Sequence, residues 1–415
     1  MTSLEGGQGD RSEGRLLAGM RIVEVATFVA GPFASLTLGQ LGADVIRVDP
    51  LEGGSDFGRW PLAENGRSLY WDGLNMGKRS VTLDLRSPEG RELLVALITS
   101  PGPDAGIVVT NALDRPWMGY ESLRARRDDI IVVAISGHPD GRPAVDYTVN
   151  AAMGLPLITG PEDHVGPVNH VLPAWDLLTG VTAATGLLAA VRHRALTGAG
   201  QLVTLALADV ALAAIGHLGM LSETHLGLSE RGRHGNYLYG SFGSDFETSD
   251  GRRVMVVALT RGQWRALCVA TGTSEVFASL ERALNVDLER EGDRWQQRRV
   301  IAAILAPWFT ARSFEAVRSA LDAAHVLWGP YQTIRELVEH DPAYSPANPM
   351  MGPVEQAGLG AYLLPGSPLV FQSCVRQPAR PGPRLGQHTD EVLAQVLGLS
   401  DAAIGGLHSR RVAGG

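Results

Sequence analysis

The sequence predicts an α/β fold, with a large domain built on a parallel sheet and a smaller α+β domain set into the middle of the chain. Three observations predict it. Short apolar, β-branched runs alternate with helical segments over residues 20–135, and that alternation breaks after Ser136-Gly137-His138. The chain is also 415 residues long, 45% hydrophobic and 19% charged, which is enough for two buried cores.

Taken in order, residues 20–25 (MRIVEV) read as a first strand, and Gly31-Pro32 then opens a helix over 33–41, with proline at its first turn. Residues 44–49 (DVIRVD) give a second strand and 79–85 a third. Ser87-Pro88-Glu89-Gly90 starts a helix running to about 98. Residues 107–110 and 130–135 are two more β-branched strands, and strands spaced by helices in this way imply right-handed crossovers and a sheet covered on both faces. A helix-rich stretch follows over 147–226, interrupted by a polar loop at 160–169 and the strand-like 201–205. Glycines at 232, 235, 240 and 243 mark a flexible loop, and 245–259 reads as a hairpin turning at Ser249-Asp250-Gly251. The expected division is a disordered leader at 1–18, a large domain beginning at 19–229, a small domain at 230–330, and a return to the large domain over 331–415. A short Pro-rich linker at 378–383 precedes a last helix near 390–397.

Composition narrows the function. A net charge of -8 leaves no electrostatic footprint for nucleic acid, so an anionic ligand must be met by local cations. Cys268 and Cys374 are the only cysteines and have no metal-ligand spacing, so no disulfide framework or metal site is expected, and a reducing cytoplasm is the default. No secretory signal is read at the start, and the longest apolar run, 177–191, is too short to span a bilayer, so it is expected to be a buried helix and no membrane partner is expected. Lys78 is the only lysine in the chain. Drift toward arginine replaces exposed lysines freely, but a site that needs a compact ammonium resists the swap.

Several chemistries lack their motifs. The turn after the first strand, residues 26–32 (ATFVAGP), has one glycine where a dinucleotide fingerprint needs three. Gly77-Lys78-Arg79-Ser80 lacks the upstream glycine of a phosphate loop, and no nucleophile elbow of the hydrolase type is present. What stands out is Asp176, the one formal charge between Val165 and Val191. Asp is a favoured helix N-cap, and a carboxylate at a helix N-terminus is also a place to hold an ionised nucleophile. Both readings stay open on the residues alone. A carboxylate nucleophile attacking an acyl group forms an anhydride, which suits a thioester substrate whose thiolate returns to the anhydride.

Ordered motifs now accumulate: Gly31-Pro32, 41–48 (LGADVIRV), 78–85 (KRSVTLDL), Ser87-Pro88-Glu89-Gly90, 197–201 (TGAGQ) and 386–390 (GQHTD). With these the chain resembles the class III CoA-transferases, the family of formyl-CoA transferase, carnitine CoA-transferase and α-methylacyl-CoA racemase, from Leu17 to Val412. The resemblance implies a Rossmann-like large domain built from both chain ends, a small central domain, and a homodimer of interlocked subunits. It implies a CoA thioester and a carboxylic acid as substrates, with no tightly bound cofactor. Asp176 then matches the family's nucleophile, while Thr27, Phe28, Val29, Lys78, Asn111, Met118 and Ser136 fall along the CoA path. Some transferases have a basic residue at Ser136.

Racemases of the family place His directly before the aspartate matched by Asp146, and Glu at about Thr260. Val145 and Thr260 cannot exchange an α-proton, so racemization is disfavoured. Residues 145–150 (VDYTVN), 169–176 (NHVLPAWD) and 235–240 (GNYLYG) most resemble the branch that moves CoA between the C1 and C4 carboxyls of mesaconyl-CoA. The alternative is transfer between an acyl-CoA and a second free acid. Tyr147, Asn169, His170, Arg233 and His234 are the candidates for the idle carboxylate, and the glycine-rich loop over 232–243 is a candidate cover that excludes water.

Overall fold

The computed structural model describes residues 15–112, 114–228 and 230–415. In chain order the first elements are β1 (Arg21–Val25), α1 (Ala30–Gly39), β2 (Asp44–Asp49), α2 (Leu69–Leu74), β3 (Arg79–Leu83), α3 (Pro88–Thr99), β4 (Ile107–Thr110), α4 (Tyr120–Arg124), β5 (Ile131–Ser136) and α5 (Asp146–Ala152). Next come α6 (Leu155–Ile158), α7 (Ala174–Thr197), β6 (Gln201–Ala206), α8 (Leu207–His217), α9 (Met220–His225), β7 (Phe242–Glu247) and β8 (Arg253–Ala258). The chain continues through α10 (Arg261–Thr271), α11 (Ser274–Leu284), α12 (Glu291–Gln296), α13 (Arg298–Thr310), α14 (Phe314–Ala323), β9 (Leu327–Pro330) and α15 (Ile334–His340). It closes with β10 (Met351–Gln356), β11 (Gly360–Pro365), α16 (Thr389–Leu397), α17 (Asp401–Ser409) and β12 (Ala413–Gly414).

The chain divides into two compact units, one of residues 15–153, 171–222 and 342–415, the other of 154–170 and 223–341. The first is a mixed α/β unit around a seven-stranded sheet ordered β12-β3-β2-β1-β4-β5-β6. Every pairing in it is parallel except that of β12, which lies antiparallel to β3 through Ala413 opposite Leu83. The central strands β4 and β5 were readable because each is a largely β-branched run buried on both faces, whereas β6 at the sheet edge is buried only at Ala206. Strand order reverses at β1, which has β2 on one side and β4 on the other. Such a switch point opens a crevice beyond the strands' C-terminal ends. Val23, Ile46, Val81 and Val108 from the strands pack with Leu94 and Leu97 of α3 and with Leu393 and Leu407 of the last two helices.

Several expectations are corrected. The first helix begins at Ala30, so Gly31-Pro32 lie inside its first turn. The helix expected over 177–191 spans 24 residues, Ala174–Thr197, and is long and apolar enough by length and composition to cross a membrane. One face of it is buried through Thr179, Gly180, Ala183, Ala184 and Leu187, while Leu178 and Val181 are exposed. Of the leader expected at 1–18, residues 1–14 lie outside the described residues, whereas Leu17 N donates to Leu41 O and ties the chain to the end of α1. The expected hairpin is β7 with β8, and β9 extends it to three antiparallel strands. In this second unit Phe242, Phe246, Trp264 and Phe309 form the core, with Phe246 stacked on Phe309 at 4.2 Å.

Candidate active site

Asp176 lies in the first turn of α7, whose N-cap is Pro173, a residue without a capping side chain. The cap comes from elsewhere. Asp146, first residue of α5, accepts hydrogen bonds at Oδ2 from Trp175 N (2.7 Å) and Asp176 N (3.2 Å). Trp175 Nε1 donates to Asn150 Oδ1 at 3.1 Å, which ties α7 to α5 a second time. The capping role expected of Asp176 therefore belongs to Asp146, and the Asp176 side chain is left to other work. Burial first, then the negative charge of Asp146, push the Asp176 carboxyl up to about 6, against the opposing pull of Arg59. At pH 7 it is still about nine-tenths ionised. A half-buried carboxylate of raised basicity at a helix N-terminus is chemically able to act as a nucleophile.

Close helix packing fixes where that turn sits. A Cβ on Gly180 would lie 2.9 Å from Ala30 O and 3.0 Å from Phe33 Cδ1, so only glycine lets α7 approach the first turn of α1 this closely. Immediately before α1 is the turn of Thr27, Phe28 and Val29. Phe28 has φ of +66°, a strained setting for a bulky side chain. Its backbone is held there: Phe28 N donates to Asp56 Oδ2 (2.9 Å), while Asn111 accepts from Thr27 N (3.2 Å) and donates to Thr27 O (3.1 Å). The C-terminal ends of β1 and β4 are thus joined across the switch point.

Beneath the turn lies a buried ionic network. Arg47 binds Asp49, Glu24 and Asp56 at once and stacks over Trp71 at 5.5 Å. Lys78 Nζ donates to Glu24 Oε2 (2.7 Å), Pro32 O (2.9 Å) and Asn75 Oδ1 (2.9 Å). Its three protons are all engaged and its side chain is 1% exposed, so Lys78 reaches the site through α1 and Glu24 and has no proton left for a phosphate. Burial pulls its ammonium down to about 8. A compact ammonium fits among three acceptors where the longer, forked guanidinium would not.

The remaining residues expected on the CoA path are spread over the same sheet end. Val29 is buried as the N-cap of α1, Asn111 is exposed beside Thr27, and Met118 is part of the core. Ser136 ends β5 and donates to His138 O at 3.0 Å. Beside them runs an open groove of about 550 Å³, lined after β2 by Leu51 and Glu52, after β3 by Asp84, Arg86 and Arg91, and after β4 by Asp114, Arg115 and Trp117, so that three arginines face three carboxylates. Arg91 lies over Trp117 at 5.8 Å.

The five candidates for the idle carboxylate are divided between the two units. Tyr147 is exposed on α5 and donates from its hydroxyl to Val171 O at 3.1 Å. Asn169, His170, Arg233 and His234 belong to the second unit. There Arg233 donates to the carbonyls of Pro156, Thr159 and Gly166, which makes it a clamp on the 156–166 loop. His234 stacks on Tyr239 and abuts Trp295, and burial followed by the charge of Arg298 holds its pKa below the usual histidine value. It is therefore a neutral ring at pH 7. Thr260 is the N-cap of α10 in a capping box with Gln263, a structural use that accounts for threonine there.

Sequence reasoning missed Asp146 as a cap, the acceptors around Lys78, and Arg59 with Tyr70. Arg59 lies over the rings of Phe28 (5.6 Å) and Tyr70 (5.2 Å), and burial pushes the Tyr70 hydroxyl up to about 12. The one available signal was Asp56 and Arg59 closely spaced in a glycine-rich loop.

Comparison with known proteins fits this site. The family model described as CoA-transferase family III matches residues 17–389. The chain is 53% identical over 401 residues to 2-methylfumaryl-CoA isomerase of Chloroflexus aurantiacus, covering 96% of this chain and 98% of that protein. It is 30% identical over 396 residues to succinyl-CoA:mesaconate CoA-transferase of Haloarcula marismortui, covering 91% and 95% respectively. The crystal structure of a CAIB/BAIF family protein from Brucella suis superimposes with a TM-score of 0.72 at 26% identity, over 92% of this chain and all of that one. With a match this extensive in both sequence and fold, the chain belongs to CoA-transferase family III.

Proposed function

We propose that this chain is an intramolecular CoA transferase that interconverts the C1 and C4 thioesters of mesaconyl-CoA, with Asp176 as nucleophile. The observation that carries the chemistry is the Asp176 carboxylate, released from capping by Asp146 and made more basic by burial and by the Asp146 charge at the N-terminus of α7. The full-length likeness to the Chloroflexus isomerase supports the substrate.

The bonds balance as follows. An Asp176 oxygen attacks the C1 thioester carbon, the C–S bond breaks, and CoA leaves as thiolate from a mixed anhydride. The thiolate attacks the aspartyl carbonyl, which releases the C1 carboxylate and leaves CoA on Asp176 as a thioester. The C4 carboxylate then attacks this thioester, expels the thiolate and forms the second anhydride. Thiolate attack at C4 completes the transfer and restores Asp176. One oxygen passes from the C4 carboxylate to Asp176 in each cycle, and one from Asp176 to C1. Water must be kept out, since it would hydrolyse either anhydride.

In this reading the groove with Arg86, Arg91, Arg115 and Trp117 takes the nucleotide end of CoA, where phosphates meet guanidinium groups and adenine meets an indole. Thr27, Phe28 and Asn111 lie between groove and nucleophile, and Lys78 acts as a positioning residue beneath them. The exposed apolar side chains Leu178 and Val181 of α7, Leu202 of β6 and Leu212 of α8 support assembly as a homodimer. Val145 and Thr260 supply neither base of a racemase.

The test is incubation with mesaconyl-C1-CoA and no added acid, followed by chromatography of the thioesters. Appearance of the C4 isomer is expected, and Asp176→Asn abolishes it. Conversion only on addition of a free acid would overturn the intramolecular reading in favour of exchange between two acids, the activity named for the Haloarcula relative.

A further inference from the structure

Arg59 differs from the arginines around it. Arg47 is saturated by three carboxylates and Arg67 by Asp72, but among the described residues no carboxylate or carbonyl receives an N–H from the Arg59 side chain. The group is nonetheless held. Its backbone N donates to Asp56 O, and its carbonyl accepts from Ser68 Oγ. Its guanidinium lies over the rings of both Phe28 (5.6 Å) and Tyr70 (5.2 Å), contacts that use the cation without engaging its N–H donors. Phe28 is itself pinned through Asp56, so the aromatic seat is rigid.

This open cation lies on the side of α1 that faces the start of α7: Gly180, four residues after Asp176, packs against Ala30 and Phe33, and Arg59 covers the ring of Phe28 just before that helix turn. Arg59 and Asp146 are the charges that act on the Asp176 carboxyl. An acyl group on Asp176 that carries a second carboxylate brings an anion in beside Asp146. That anion gains from a cationic partner, and Arg59, exposed and with its donors free, presents a guanidinium that binds a carboxylate in bidentate fashion.

We propose that Arg59 receives the carboxylate of the acyl group that is not being transferred, and so selects dicarboxylic over monocarboxylic acyl-CoA and retains the free acid between half-reactions. This rests on the function proposed above. Asn169, His170 and Arg233 are then not required for that contact.

The test compares Arg59→Met and Arg59→Lys with wild type in single-turnover formation of the CoA adduct on Asp176, read by peptide mass spectrometry. Mesaconyl-C1-CoA and crotonyl-CoA, which lacks the second carboxylate, are the two probes. With mesaconyl-C1-CoA, Arg59→Met is expected to slow adduct formation about 100-fold and to release free mesaconate into the medium, with Arg59→Lys intermediate. With crotonyl-CoA the same variants stay within about threefold of wild type. Equal losses on both thioesters, or no loss on either, overturn the assignment. If wild type forms the adduct but isomerises only with added acid, the intramolecular reading fails, while the adduct ratio still decides the role of Arg59.

Discussion

Replacing Asp146 with asparagine separates its two effects on the nucleophile. Asparagine keeps a carbonyl oxygen for Trp175 N and Asp176 N, now 2.7 and 3.2 Å from the carboxylate, but carries no charge. Asp176 titrates near 6 against 3.8 unperturbed, with burial as the larger cause and Asp146 next. Removing the second cause leaves the first, so we expect the Asp176 value to fall by on the order of one pH unit. The sign follows from charge: without a neighbouring anion the carboxylate ionises more easily, and the acid limb of kcat/KM moves to lower pH. The plateau rate falls as well, because a less basic carboxylate attacks the thioester more slowly. Asp146→Ala removes the acceptor too, strands two backbone donors at a helix terminus, and costs about 1–3 kcal/mol. The assay is the isomerisation rate from pH 4.5 to 8.5, beside thermal melts of all three proteins. An acid limb that stays in place or moves upward in Asp146→Asn, with the fold intact, would refute the coupling.

Three further outcomes follow from the same geometry. Asp176→Asn raises stability above pH 6: the folded protein holds this carboxyl about two pH units above its free value, a penalty of about 3 kcal/mol that builds between pH 4 and 6 and is absent below pH 4. Melts at pH 4 and pH 8 check it, and equal melting of variant and wild type at pH 8 would count against a strained nucleophile. Lys78→Arg, conservative by charge, lowers stability by about 2–4 kcal/mol because a longer cation must enter a closed site of three acceptors; denaturant melts, with exposed Arg86→Lys as the neutral control, test this. Gly180→Ala forces α7 away from α1, since its Cβ meets Ala30 O at 2.9 Å, and we expect about 1–3 kcal/mol of destabilisation with a larger drop in kcat than in KM.

How much of this could be read in advance depends on whether the cause was local. The strand over 44–49 has the predicted ends because its β-branched residues Val45, Ile46 and Val48 stop short of Pro50, and the 107–110 strand because it is a run of four buried β-branched residues. Two-residue β12 carries no pattern of its own; it is a strand only because Leu83 and Thr82 offer an open edge. The pairing of β10 with β11 was equally hidden, since proline and glycine interrupt both runs. Asp176 was visible as an isolated charge, but its cap lies 30 residues earlier on another helix. Arg59 was invisible for the same reason: its two ring partners, Phe28 in the turn before α1 and Tyr70 in α2, come from separate stretches of the chain. Arg233 and His234 were selected by residue type; the carbonyls that Arg233 holds and the Trp295 ring that His234 abuts come from distant stretches of sequence and left no local signal.

Placing Asp146 next to Asp176 looks unfavourable, because two carboxylates repel and burial strengthens the repulsion. The arrangement makes sense through the reaction's charge balance. Under the mechanism proposed above, each acyl transfer moves the negative charge from a carboxylate to the CoA thiolate and back, so the site would hold one mobile anion at every stage. A cap drawn from Asp176 itself would tie its lone pairs to the helix and would have to break on acylation. A cap drawn from Asp146 survives both anhydrides and the aspartyl thioester unchanged, and its charge favours every state in which Asp176 is acylated and neutral. Arg59, stacked and unpaired, opposes that bias while the carboxylate is free. The two fixed charges therefore bring the free and acylated forms of Asp176 closer in energy, which a reversible transfer between two similar thioesters requires, and neither charge has to move during the cycle.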